Sequence, residues 1–140
     1  NDAIKSILSA KLLEAQNRGI SISVEIEEPV SNFRIELLDF ITVLSVLCDN
    51  AIEATIEAIS PRMTVAFINN DDSLVLIVEN SIKSEKVDVS HIFARGYSSK
   101  GEGRGLGLHN VNSVLEKYPK STITTRSANH LFSQTIRFCK

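Results

Sequence analysis

Five of the chain's six glycines fall within thirteen residues, Gly96-Tyr97-Ser98-Ser99-Lys100-Gly101-Glu102-Gly103-Arg104-Gly105-Leu106-Gly107-Leu108. Glycine tolerates positive φ and lets a backbone approach a ligand with no Cβ in the way. An apolar-periodic segment follows at once (Leu106, Val111, Val114, Leu115), so the stretch opens a helix. The free N–H groups and dipole at such a terminus attract anions. Lys100 and Arg104 add fixed positive charge. The stretch therefore reads as a phosphate-binding loop; taken alone, a glycine-rich surface loop is the other reading.

Two common phosphate loops do not fit. A P-loop ends in Gly-Lys-Ser/Thr, whereas here the order is Lys100-Gly101. In the dinucleotide fingerprint the third glycine would fall on Leu106 or Leu108, and no apolar strand runs directly into the loop. The spacing Gly-x-Gly-x-Gly-x-Gly-Leu instead resembles the second glycine box of the Bergerat-fold ATPases, the group of gyrase, Hsp90, MutL and the histidine kinases.

A chain of 140 residues suits one domain, taken as 1–140, with a single core. Its net charge of −2 offers no basic excess for nucleic acid. Cys48 and Cys139 form no CxxC and have no histidine at metal-ligand spacing, so both read as buried free thiols in a reducing compartment. No apolar run is long enough to span a membrane. The start at Asn1-Asp2, without methionine or signal segment, leads us to expect a piece of a longer protein.

Asp2 reads as the N-cap of a helix carrying Ile4, Ile7, Leu8, Leu12 and Leu13, stopped by Gly19. Ile20, Ile22, Val24 and Ile26 alternate with polar residues as a half-buried strand ending before Glu28-Pro29. A long helix is expected from about Phe33 to Ile59, closed by Ser60-Pro61, with Ile41, Leu44, Cys48, Ala51, Ile52, Thr55 and Ile59 buried. Val46, Asn50, Glu53 and Glu57 share another face of it. A polar amide in an apolar helix is costly without a partner. Asn50 thus either bonds a neighbouring loop or faces a ligand.

The run Leu47-Cys48-Asp49-Asn50-Ala51-Ile52-Glu53-Ala54 resembles the N box of histidine-kinase catalytic domains. The resemblance implies that Asn50 offers its carbonyl oxygen to Mg²⁺ and that Glu53 lines the same nucleotide site. Mg²⁺ is a hard cation commonly shared with substrate phosphates. The ATP-hydrolysing relatives carry a glutamate one turn before the asparagine as general base. Here that residue is Val46, which cannot take a proton. This argues against a hydrolase and leaves a phosphotransferase open, unless Asp49 or Glu53 replaces the base.

Met63–Ile68 and Leu74–Val78 read as a hairpin. The second strand ends in Glu79-Asn80-Ser81-Ile82, where most of these kinases have Asp-x-Gly-x-Gly. Asn80 stands at the adenine-reading aspartate and still has a carbonyl acceptor, with an added donor; a strand-end turn residue is the other reading. Asp-Asn-Ala-Ile-Glu-Ala, Glu-Asn-Ser and the glycine box together resemble the peptide-pheromone (quorum-sensing) sensor kinases of Gram-positive bacteria, of AgrC and ComD type. By that resemblance Ile92-Phe93 is an F box packing a lid. Lys100 meets the terminal phosphate with Arg104 as a second candidate, and the backbone of Gly101, Gly103, Gly105, Leu106 and Gly107 cradles the phosphates.

The box should feed a helix to about Tyr118, ended by Pro119, followed by strands Ser121–Arg126 and Leu131–Phe138. His109, one turn into that helix, either approaches phosphate or, the favoured reading, is a surface histidine, and His91 and His130 lack acidic partners at catalytic spacing. The phosphoacceptor is therefore expected upstream.

The expected fold is an α/β (α+β) two-layer sandwich, a mixed sheet of about five strands under three helices. The expected function is transfer of the γ-phosphoryl of Mg-ATP to a histidine on a separate dimerisation domain. The whole protein would be a homodimeric cell-membrane receptor, with this domain cytoplasmic, passing phosphate to a response regulator. An anti-sigma-type protein serine kinase and a degenerate non-catalytic binding module are the alternatives.

Overall fold

Alternating apolar side chains build one sheet, and three helices form the layer beside it. The structure, a computed structural model, describes residues 2–27, 35–69, 72–86 and 105–139. Within them lie helices α1 (Asp2–Asn17), α2 (Leu37–Thr55) and α3 (Gly105–Leu115). The strands are β1 (Ser21–Ile26), β2 (Arg62–Asn69), β3 (Ser73–Ser81), β4 (Ser121–Ala128) and β5 (Leu131–Cys139). The sheet order is β1-β2-β3-β5-β4, with β1 parallel to β2 and every other pair antiparallel. The expected mixed five-stranded, three-helix α+β sandwich is what forms.

The register lines up one apolar face. Val24, Val65 and Val78 are cross-strand neighbours, as are Phe67, Leu76, Ile136 and Ile123 in the next row. Against that face α2 lays Phe40, Val43, Leu44, Leu47, Cys48, Ala51 and Ile52, spaced three and four apart, and all join one buried cluster. Phe40 packs its ring 5.7 Å from Phe67 and 6.4 Å from Phe138. At the other end of the helix, the Thr55 hydroxyl lies 2.7 Å from that of Ser81. Since Phe138 pairs with Leu74, these two contacts run α2 in the same direction as β3.

α2 is shorter than its apolar pattern predicts. It ends at Thr55 rather than Ile59, because Arg62 N–H donates to Thr55 Oγ1 (3.0 Å) and Ala58 N–H to Thr55 O (2.9 Å), turning the chain into β2. Ile59 is consequently 92% exposed, Ile41 is only half-buried, and Glu57 lies beyond the helix. α3 likewise stops at Leu115, where i+3 bonds from Lys117 N–H and Tyr118 N–H tighten the last turn. Gly19 stops α1 as expected, with φ of 77°. The β4–β5 turn is two residues, Asn129 and His130, both at positive φ as a type I′ turn requires.

The contact that orients α3 was not foreshadowed by any motif. Tyr118 Oη donates to Asp39 Oδ2 at 2.6 Å, Lys117 Nζ reaches Asp39 Oδ1 at 3.3 Å, and Glu36 N–H donates to Tyr118 Oη at 3.0 Å. The far end of α3 is thus tied to the first turn of α2. The Tyr118 hydrogen bond, aided by Lys117, holds the Asp39 carboxyl below its ordinary value of 3.8 against the opposing effect of burial. Burial, then the bond to Asp39, pushes the Tyr118 hydroxyl up. A carboxyl lowered by folding stabilises the fold above the ordinary value, and the contribution is lost as pH falls through the lowered one. Tyr118→Phe should therefore cost about 1 kcal/mol at neutral pH. It should also flatten the loss of stability below about pH 4, read by urea denaturation at several pH values. An unchanged acid limb would refute the coupling.

Cys48 is fully buried and Cys139 half-buried, and neither is in a disulfide. Burial, with the neighbouring Asp49 charge, pushes the Cys48 thiol up to about 12. The thiolate is the reactive form. In native labelling Cys139 should react first, and Cys48 only after unfolding; early labelling of Cys48 would contradict this packing.

Candidate functional site

The apolar stripe of α2 fixes where its polar residues fall. Leu47 and Ala51 are buried at 1% and 3% exposure, and Asn50 and Glu53 stand half-buried at the border of that stripe. Val46, one turn before Asn50, is half-buried and packs against the core, so that position is apolar. Asp49 is held by Lys11 Nζ of α1 at 2.5 Å. That ion pair, through one oxygen of a carboxylate that is 46% exposed, links α1 to α2.

Asn80 lies on the helix-facing side of the sheet. Its cross-strand neighbours are Met63 on β2 and Phe132 on β5, one alternation beyond the row of Val65 and Val78. Its side chain is buried at 2% exposure, and its Nδ2 donates to Ser81 O at 3.0 Å. The carbonyl end of the amide is then the end left to face another group. Gln134, paired with Val78 and 3% exposed, is a second buried amide on this side; Nε2 approaches Thr125 Oγ1 at 3.5 Å. Sequence patterning passed over Gln134 because it interrupts the alternation of β5; that interruption was the available signal.

α3 opens at Gly105, so Gly105, Leu106 and Gly107 supply backbone of its first turn, which carries no acidic residue. With Tyr118 tied to Asp39, the chain just past the C-terminal end of α3 is held at the first turn of α2, and α3 packs against α2. Lys100, Gly101, Gly103, Arg104, Ile92-Phe93 and His91 lie outside the described residues. His109 is half-buried on α3, and His130 sits in the β4–β5 turn, Nδ1 against Lys83 O at 3.1 Å.

Among the described residues no three His, Cys, Asp or Glu side chains gather where a metal could sit. A lone neutral amide oxygen such as that of Asn50 suits a hard cation that brings most of its own ligands, as Mg²⁺ does with phosphate and water.

Residues 35–139 match the family described as the GHKL domain. The chain belongs to the GHKL domain family. This GHKL domain is 29% identical over 119 residues to the sensor protein CitS of Bacillus subtilis (strain 168), covering 81% of the chain and 22% of that protein. It thus spans about a fifth of the relative's length. In fold it superposes on the catalytic domain of histidine kinase ThkA with a TM-score of 0.82, at 20% identity, over 100% of this chain and 91% of that one. Against full-length ShkA, solved in complex with AMPPNP, the TM-score is 0.76 at 14% identity, over 96% of this chain and 28% of that one. The GHKL domain therefore has the fold of histidine kinase catalytic domains. Among its described residues no helix is long and apolar enough to cross a membrane.

Proposed function

We propose that this GHKL domain binds Mg-ATP and transfers the γ-phosphoryl group to a histidine on a separate dimerisation domain of a two-component sensor. The observation that carries the proposal is the shared end of α2 and β3, where Thr55 meets Ser81. Asn50 and Glu53 stand at the edge of the buried stripe, Asn80 lies on the sheet face below, and the glycine-rich stretch enters α3 at Gly105.

In this reading Asn80 accepts from the adenine amino group and Asn50 offers its oxygen to Mg²⁺, with Glu53 beside it. Lys100 and Arg104 neutralise phosphate charge, and the backbone N–H groups from Gly101 to Gly107 hold the phosphates. Bound Mg²⁺ would supply charge neutralisation on the phosphate oxygens. Phosphoryl transfer asks mainly for positioning and electrostatic stabilisation. Val46 in place of a base, with Asp49 tied to Lys11, favours an imidazole acceptor over activated water. The motif resemblance further supports a membrane receptor for a secreted peptide, signalling to a response regulator.

The test uses this domain, γ-labelled ATP with Mg²⁺, and a purified dimerisation domain carrying the acceptor histidine. Labelled phosphohistidine, acid-labile and lost in Lys100→Ala, is expected. Label on serine would support the anti-sigma-type alternative. Nucleotide binding without transfer to any acceptor would leave a binding module and refute the kinase reading.

A further inference from the structure

An asparagine at an adenine-reading position differs from a carboxylate in one physical respect. Its two ends are chemically opposite, and rotating the amide by half a turn exchanges an acceptor for a donor. With oxygen outward it accepts from the 6-amino group of adenine; with nitrogen outward it donates to the 6-oxo group of guanine. A base-selective Asn80 therefore needs its amide held in one orientation.

The structure contains such a hold. Asn80 Nδ2 donates to the carbonyl of Ser81 at 3.0 Å, so the orientation of that peptide determines which end of the amide points away. That peptide is held on its other side by Ile82 N–H, which donates to His130 O at 2.9 Å, and Ser81 is fixed through its side chain as well. Its Oγ donates to Ser60 O at 2.9 Å, and it lies 2.7 Å from Thr55 Oγ1, with Arg62 N–H directed at both hydroxyls (3.1 and 3.0 Å). Each hydroxyl has one proton. Ser81 gives its proton to Ser60 O, which leaves Thr55 to donate to Ser81 Oγ or to Arg62 O, 3.1 Å away. Thr55 is 0% exposed, Ser81 6% and Asn80 2%, so bulk water does not replace these bonds readily.

We propose that Thr55 and Ser81 are positioning residues that lock the Asn80 amide oxygen-outward and so make the site selective for 6-amino over 6-oxo purine nucleotides. The inference rests on the nucleotide-binding reading above and adds to it a device for choosing the base. Thr55 closes α2 and Ser81 closes β3, so the lock also joins the helix bearing Asn50 to the strand bearing Asn80.

The test is calorimetric titration of the domain with non-hydrolysable ATP and GTP analogues in the presence of Mg²⁺. Wild type should favour the ATP analogue by at least about tenfold, the order expected when a site built for one hydrogen-bonding pattern meets its opposite. In Thr55→Val and in Ser81→Ala the ratio should fall about five- to tenfold, the worth of one such bond. Thr55→Ser, which keeps the hydroxyl, should stay within about twofold of wild type. A purely structural role would weaken both nucleotides together and leave the ratio unmoved. Thermal melting identifies a variant that fails to fold, and the wild-type ratio stands whatever the variants do. Equal wild-type affinities, or a ratio unchanged in both folded variants, would overturn the lock while leaving nucleotide binding intact. A wild type that binds neither analogue would instead refute the nucleotide reading itself.

Discussion

Asn50→Ala should weaken binding of a Mg²⁺-complexed ATP analogue by about 10- to 100-fold and abolish most of the difference made by the metal. The range follows from losing one polar contact to a charged group, about 1.5–3 kcal/mol, at 1.4 kcal/mol per factor of ten. The truncation spares the core, because Asn50 is half-buried while its neighbours Leu47 and Ala51 carry the packing. Melting should shift by only a few degrees, so lost affinity would not be mistaken for lost fold. Titrations with and without Mg²⁺ decide the matter. Retained metal dependence would remove Asn50 from the proposed site and return it to the reading of a helix asparagine bonded to its surroundings.

The largest stability effect is expected at Phe40. Its ring is 1% exposed and packs against Phe67 and Phe138, joining the start of α2 to two strands. Phe40→Ala removes the transfer energy of the ring and leaves a cavity that rigid sheet neighbours cannot fill, a loss of about 3–5 kcal/mol. A domain of ordinary stability has about 5–15 kcal/mol in total, so the variant should melt far lower and be partly unfolded in mild urea. Leu38→Ala is the control on the same helix. Leu38 is 77% exposed, and its truncation should change stability by about 0.5 kcal/mol or less. If urea midpoints for the two variants coincided, the burial of α2 described above would be wrong.

The two predictions differ in how far sequence alone reaches. The alternation of β1, the hairpin of β2 and β3, and the start of α3 in the glycine-rich stretch were legible because each obeys a local period or a local turn chemistry. Asn50 was legible for a related reason, as a polar amide inside a stripe that sequence periodicity already marked as buried. The ends of α2 were not. Ile59 continues the apolar pattern but lies 92% exposed, because the helix is ended by hydroxyl and backbone bonds of Thr55 with Arg62. Phe40, Val43 and Leu47 were absent from the expected stripe for a different reason: a helix rich in apolar residues on most sides does not say which side meets the sheet.

By itself, then, the sequence determined the elements, their order, and the family signature in the N box and the glycine box. These depend on residues within a few positions of one another, where backbone propensity and spacing suffice. The tertiary structure alone decided that α3 is tied to the start of α2 through Tyr118 and Asp39, 79 residues apart. It alone decided that Asp49 serves Lys11 across 38 residues, and that Thr55 holds the Ser81 beside Asn80 across 26. Such contacts arise only after the sheet has set its register, since no local period encodes which side chains a folded chain brings face to face.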